Sequence, residues 1–121
     1  MMLQDEKDHS VIGSDRVDGT AVYGVDQDKI GSVDKLLIDK RGGNVTDVVI
    51  SAGGFLGIGD EKHSIPWSKL DYDTELGGYR IDVTKEQLMD APRFGSDEPD
   101  RVYDRDYQSS VYNYWTVNPY W

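Results

Sequence analysis

The chain of 121 residues contains no cysteine, so neither a disulfide framework nor a thiolate metal site is open to it. That absence does not decide the compartment, since cysteine-free proteins occur in oxidising and reducing ones alike. Long apolar runs are missing too. None approaches the ~18 residues of a membrane-crossing helix, and no membrane span is expected. The first ten residues, MMLQDEKDHS, are polar and acidic with no apolar h-region. They do not read as a secretory signal, and a cytoplasmic location is expected. Positive charge is scarce, with 13 Lys+Arg against 23 Asp+Glu for a net charge of −10. A chain of that balance with no basic stripe repels phosphate backbones, so nucleic acid is not an expected partner.

The negative charge is unevenly spread. Residues 1–19 carry two basic and five acidic side chains, residues 20–96 nine and thirteen, and residues 97–106 two and five. The excess therefore concentrates on either side of the middle, and it serves first to keep a small protein soluble. At this length one domain with a modest core is expected. Residues 1–17 read as a flexible acidic arm, because they lack periodicity and are rich in Asp and Ser.

Between residues 18 and 94 the chain alternates short β-prone runs with turn signals. Thr20–Val25 ends in Asp26-Gln27-Asp28-Lys29, and Ile30–Asp39 runs into Lys40-Arg41-Gly42-Gly43-Asn44, the clearest hairpin signal in the chain. Val45–Ser51 returns antiparallel. A Gly-rich loop (Gly53, Gly54, Gly57, Gly59) with Phe55 and Leu56 at its crown and Ile58 after them follows, then strands at His63–Trp67, Leu70–Tyr72 and Tyr79–Val83. Thr84-Lys85-Glu86-Gln87 reads as a capping box opening one short helical turn, stopped by Pro92. The fold class expected is mainly β, a small antiparallel barrel or sandwich.

Leu36-Leu37-Ile38 and Val48-Val49-Ile50 are apolar at three successive positions, so both faces of their hairpin are apolar near its ends. One face lines the interior and the other needs a cover: a second copy, the chain's own tail, or a β-bulge that shifts the register. The tail has the composition for it. Pro92–Asp106 reads as a linker, whereas residues 103–121 hold five of the eight tyrosines and two of the three tryptophans. Tyr103, Tyr107, Val111 and Trp115 fall at steps of four, as on one face of a short helix beginning near Asp100 and ended by Asn118-Pro119. Such a helix needs a surface to lie on. Residues 95–121 are therefore expected to form a linker and an aromatic extension docked on a barrel.

No reactive constellation emerges. A calcium loop starting at Asp26 would place Ile30 and Leu37 where an oxygen ligand and a bidentate Glu belong. Asp60, Glu61 and His63 lack a second well-placed ligand or a nucleophile, and His63 reads as a surface residue at a strand start. The glycine loop has neither the helix N-terminus nor the lysine of a phosphate cradle. The tail's aromatics suit base or sugar stacking, but no basic residue follows Arg105. No acid, base and nucleophile converge, so no enzyme, no cofactor and no metal are expected.

Gly31-Ser32-Val33, the run to Ile38-Asp39, the Gly-Gly-Asn turn, Val48-Val49-Ile50-Ser51, Gly53-Gly54-Phe55-Leu56-Gly57-Ile58-Gly59 and Ile65-Pro66-Trp67 together resemble the PRC-barrel family. Val83-Thr84-Lys85-Glu86-Gln87-Leu88 and Ala91-Pro92 resemble its closing segment, and the aromatic tail resembles extensions of stand-alone bacterial members. The resemblance implies a small, largely antiparallel PRC-type β-barrel with one short helical turn and a C-terminal helical or irregular aromatic extension. It also implies an interaction and assembly module, with no catalytic residues to carry across. A homodimer or higher homo-oligomer is the expected assembly. Its contact residues are expected among Leu36, Ile38, Val48, Ile50, Phe55, Leu56, Ile58, Trp67, Tyr107, Tyr112, Tyr114, Trp115 and Trp121. A ligand-binding or sensory domain, with its pocket between the Gly-rich loop and the tail, is the alternative.

Overall fold

The hairpin predicted around Gly42-Gly43 is the centre of a seven-stranded sheet. A computed structural model describes residues 10–52 and 61–121. Its strands are β1 (Ala21–Tyr23), β2 (Lys29–Ile38), β3 (Val45–Ala52), β4 (Glu61–Pro66), β5 (Leu70–Asp73), β6 (Gly78–Ile81) and β7 (Phe94–Gly95). Among the described residues three α-helices accompany them: α1 (Ser14–Val17), α2 (Lys85–Asp90) and α3 (Arg105–Trp115). The strand order is β5-β6-β1-β2-β3-β4-β7, antiparallel throughout except for β1 beside β6, which run parallel. A parallel pair needs a long connection, and everything from β2 to β5 supplies it.

Two bulges resolve the apolar triplets. Val33 pairs with Ile50 and Lys35 with Val49, which leaves Asp34 as an extra residue in β2. Leu37 pairs with Asp47 and Ile38 with Val45, which leaves Thr46 extra in β3. The bulge at Asp34 puts Val33 and Leu36, three apart, on the same face as Ile50 and Val48. Lys35, Leu37, Asp47 and Val49 take the opposite face. β3 is buried on both, with Val48, Val49 and Ile50 all at 0% exposure. Val48 and Ile50, expected at an interface between copies, therefore belong to the chain's own core. β2 and β3 approach so closely that a Cβ on Gly31 would lie 2.6 Å from the Ser51 carbonyl oxygen and 2.8 Å from Ile50 Cγ2. Only glycine fits there.

Local signals govern the connections. Asp39 Oδ1 accepts the Arg41 N–H at 3.0 Å, and Gly43 takes the left-handed conformation at φ 78° to close the β2–β3 turn. Thr84 Oγ1 accepts the Gln87 N–H at 3.2 Å while Gln87 Oε1 accepts the Thr84 N–H at 2.9 Å, the reciprocal capping box that starts α2. The crown of the glycine loop at Phe55 and Leu56, and Ile58 after it, lie outside the described residues.

Two segments expected to be irregular are ordered. Residues 14–17 form α1, which buries Val17 against the sheet and does not belong to a loose arm. The supposed linker 92–106 contributes β7 against β4, with Lys62 opposite Phe94, and a 3₁₀ turn at Pro99–Tyr103 that buries Val102 completely. Phe94 and Val102 are apolar anchors in an otherwise acidic stretch, and composition alone concealed them.

Candidate interaction site

α3 lies on β4, and its sequence shows why. Tyr107, Val111, Tyr112 and Trp115 are all at most 5% exposed. The predicted stripe 107-111-115 is the one that docks, widened by Tyr112. Tyr103 falls outside α3, in the preceding 3₁₀ turn, and is 59% exposed. The helix ends at Trp115, earlier than Asn118, with Thr116 in the left-handed region at φ 54° and the Val117 N–H bonded to the Tyr112 carbonyl.

Three tyrosine hydroxyls fasten α3 to three different elements. Tyr107 donates to the Pro92 carbonyl at 3.2 Å and accepts the Ser64 N–H at 3.2 Å. Tyr112 lies 3.1 Å from Asp47 Oδ1 and 3.2 Å from the Thr46 carbonyl. Tyr114 donates to the Gln87 carbonyl at 2.6 Å. Phe94 meets Tyr107 edge to face at 5.5 Å.

Beneath the helix sits a buried polar cluster. Asp47 is 3% exposed, and Ser64 Oγ lies 3.5 Å from its second oxygen. Burial raises the Asp47 pKa above its ordinary 3.8, while hydrogen bonds from Thr46, Tyr112 and Ser64 pull it down. Burial likewise pushes the Tyr107 hydroxyl up to about 12, and raises Tyr112 further still. Both phenols therefore stay protonated and donate. His63, expected at the surface, is fully buried, and its Nδ1 is 3.2 Å from the Pro92 carbonyl. Burial lowers its pKa below 6.5, against the raising influence of that carbonyl and of Glu61. The ring is thus neutral at pH 7, with Nδ1–H donating to Pro92. Glu61 is itself paired with Arg93. His63 Nε2 and Trp115 Nε1 have no hydrogen-bond partner among the described residues.

The contacts of this cluster tie α3 and the Pro92 segment to β3 and β4. Asp47 is engaged by Tyr112 and Ser64. Among the described residues no three His, Asp or Glu side chains converge to hold a metal ion. No helix among them is long and apolar enough to cross a membrane.

The remaining expected contact residues fall into three groups. Tyr107, Tyr112 and Trp115 are consumed by docking within the chain, and Phe55, Leu56 and Ile58 lie outside the described residues. Leu36, Ile38, Trp67, Tyr114 and Trp121 retain surface. Trp121, 46% exposed, packs edge to face on Tyr112 at 5.4 Å, with the Arg105 guanidinium 4.0 Å from its ring centroid.

Among the described residues, two concave surfaces present exposed apolar side chains. One is a groove of about 530 Å³ floored by Leu36, Leu37, Ile38, Tyr103 and Tyr120 and edged by Lys40 and Arg41. The other is a hollow of about 290 Å³ between Val11, Ile12, Trp67, Leu70, Tyr72 and Tyr79. Sequence reading missed Tyr103 and Tyr120 as surface features, because aromatic content announces burial and does not say which rings remain outside. It also missed Asp47, whose signal was available: a lone carboxylate inside the apolar run Val45–Ile50.

A family model described as PRC-barrel domain matches residues 9–88. An uncharacterised protein of Deinococcus radiodurans is 28% identical over 80 residues, 66% of this chain and 28% of that protein. The matched segment thus spans little more than a quarter of that relative. The family match ends within α2, so Tyr107 and Tyr112 come from a segment beyond it.

Proposed function

The chain belongs to the PRC-barrel family, and on that premise we propose that it is a non-catalytic interaction and assembly module of the cytoplasm that self-associates. One observation carries the reading. Val11 and Tyr72, 81% and 44% exposed, border the hollow with Ile12 and Trp67, and among the described residues Asp71 is the only charged one lining it. Single exposed apolar side chains are ordinary, but a contiguous group marks a contact surface. A face with so little charge can meet its own copy about a two-fold axis without like-charge repulsion, as an isologous homodimer contact requires.

Strand-edge pairing is the less favourable route. β5 ends the sheet order, and a second β5 set antiparallel beside it would bring Asp71 and Asp73 of both copies close together. The association is therefore assigned to the face and not the edge. Light scattering on the full chain tests it: twice the 13.7 kDa chain mass is expected, with return to monomer in Val11→Glu or Tyr72→Glu. A clean monomer at high micromolar concentration would refute it.

A second reading, a ligand-binding or sensory domain, draws on a hollow of about 340 Å³ lined in part by Pro66, Trp67, Tyr112 and Tyr120. That volume lies in the range of small-molecule sites. A thermal-shift survey with metabolites separates the two readings, since a pure scaffold shows no shift.

A further inference from the structure

The groove at the end of the β2–β3 hairpin differs in chemistry from the face assigned to self-association. Ile38, Tyr103 and Tyr120 are 53%, 59% and 48% exposed, yet they converge on one concave surface. Its rim is basic. Lys40 and Arg41 project at the hairpin tip, and the Lys35 ammonium lies 5.6 Å from the centre of the Tyr103 ring. Elsewhere Lys62, Arg80 and Arg93 are neutralised by Asp34, Asp73 and Glu61. Lys35, Lys40 and Arg41, like Lys29, Lys69 and Lys85 away from the groove, take no such partner among the described residues. Among the described residues the one carboxylate in the lining, Asp39, accepts the Arg41 N–H within the turn. A chain of net charge −10 thus keeps unpaired cations beside an open apolar groove.

We infer that this groove receives an acidic peptide segment of a different protein, with an aliphatic or aromatic side chain seated between Ile38, Tyr103 and Tyr120. Charge selects the occupant. A second copy docked across a two-fold at the groove would set Lys40 and Arg41 against their own counterparts. A nucleic acid would meet the repulsion of the whole acidic molecule, with only three cations to offset it. An acidic peptide satisfies the rim, and its apolar anchor satisfies the floor. The inference is independent of self-association, which uses the opposite chemistry at Val11 and Tyr72.

The test is fluorescence anisotropy of the full chain with a labelled synthetic peptide of Asp and Glu flanking a central Leu-Trp pair. Binding is expected to weaken at least about tenfold for the double variant Lys40→Glu, Arg41→Glu, and to weaken as salt is raised. Ile38→Ser is expected to weaken it at constant salt dependence. All three substitutions sit at exposed positions, and circular dichroism verifies the fold. Equal binding of the Asn/Gln version of the peptide would overturn the inference. So would tighter binding of a single-stranded oligonucleotide that is lost in the same double variant. A fall in molecular mass in the double variant with peptide affinity unchanged would assign the groove to a second copy instead. The Val11→Glu and Tyr72→Glu variants are expected to bind the peptide normally, so failure of one proposal is read separately from failure of the other.

Discussion

Replacing Tyr112 by Phe removes one hydroxyl and keeps the ring, so it isolates the bond between α3 and Asp47. That hydroxyl reaches Asp47 Oδ1 at 3.1 Å and the Thr46 carbonyl at 3.2 Å. Without it the buried carboxylate keeps only a marginal contact with Ser64 Oγ at 3.5 Å and what Thr46 provides. Losing a hydrogen bond to a buried charged acceptor costs about 1.5–3 kcal/mol, against about 1 kcal/mol for a neutral one. The loss at pH 7 should therefore be about 2 kcal/mol, measured by urea denaturation followed through tryptophan fluorescence. Its pH dependence is the sharper signature. Asp47 binds its proton at higher pH in the folded chain than its ordinary 3.8, so folding gains stability as pH falls into that window, and the gain is complete below 3.8. In the variant the lowering influence of Tyr112 is gone, the pKa rises further, and the gain is larger. The cost of the substitution should accordingly shrink toward about 1 kcal/mol on acidification. His63 works the other way in both proteins, because its folded pKa lies below 6.5 and its stabilisation fades as pH falls through that region. It cancels in the difference. A cost below about 0.5 kcal/mol at pH 7, or one that does not change with pH, would refute the reasoning.

Gly31→Ala should destabilise by about 1–3 kcal/mol or prevent folding, since its Cβ would meet backbone at 2.6 Å; thermal unfolding reads the shift. Deleting residues 97–121 removes Val102, Tyr107, Val111, Tyr112 and Trp115, each at most 5% exposed. Full burial of one large apolar side chain contributes about 1.5–3 kcal/mol, so five rival the whole stability of a small domain, about 5–15 kcal/mol. The truncated chain should aggregate, and a soluble product of unchanged stability would contradict the docking of α3.

Much of the fold was legible because its signals are local. The Gly42-Gly43 turn, the Thr84–Gln87 capping box and the β-branched runs of β2 and β3 each specify a conformation from neighbouring residues alone. The apolar triplets were legible as a problem, and the possible solutions included the bulges found at Asp34 and Thr46. What sequence could not rank was long-range cover. Val48 and Ile50 look identical to interface residues until the sheet closes over their face, while α3 covers the opposite one at Asp47 and Ser64. His63 was placed at the surface because nothing local shows that the Pro92 carbonyl, 29 positions away, would accept its N–H. Phe94 and Val102 were lost in an acidic stretch for the same reason. The uncovered surfaces at Val11 and Tyr72, and at Ile38, Tyr103 and Tyr120, needed coordinates, because exposure of an aromatic is decided by what fails to pack on it.

The claim that this chain works by assembling is tested most directly by its mass in solution. Sedimentation equilibrium across low to high micromolar concentration should give a species of twice 13.7 kDa, converted to monomer by Tyr72→Glu with no loss of secondary structure. A monomer at every concentration, indistinguishable from the Tyr72→Glu variant, would contradict it.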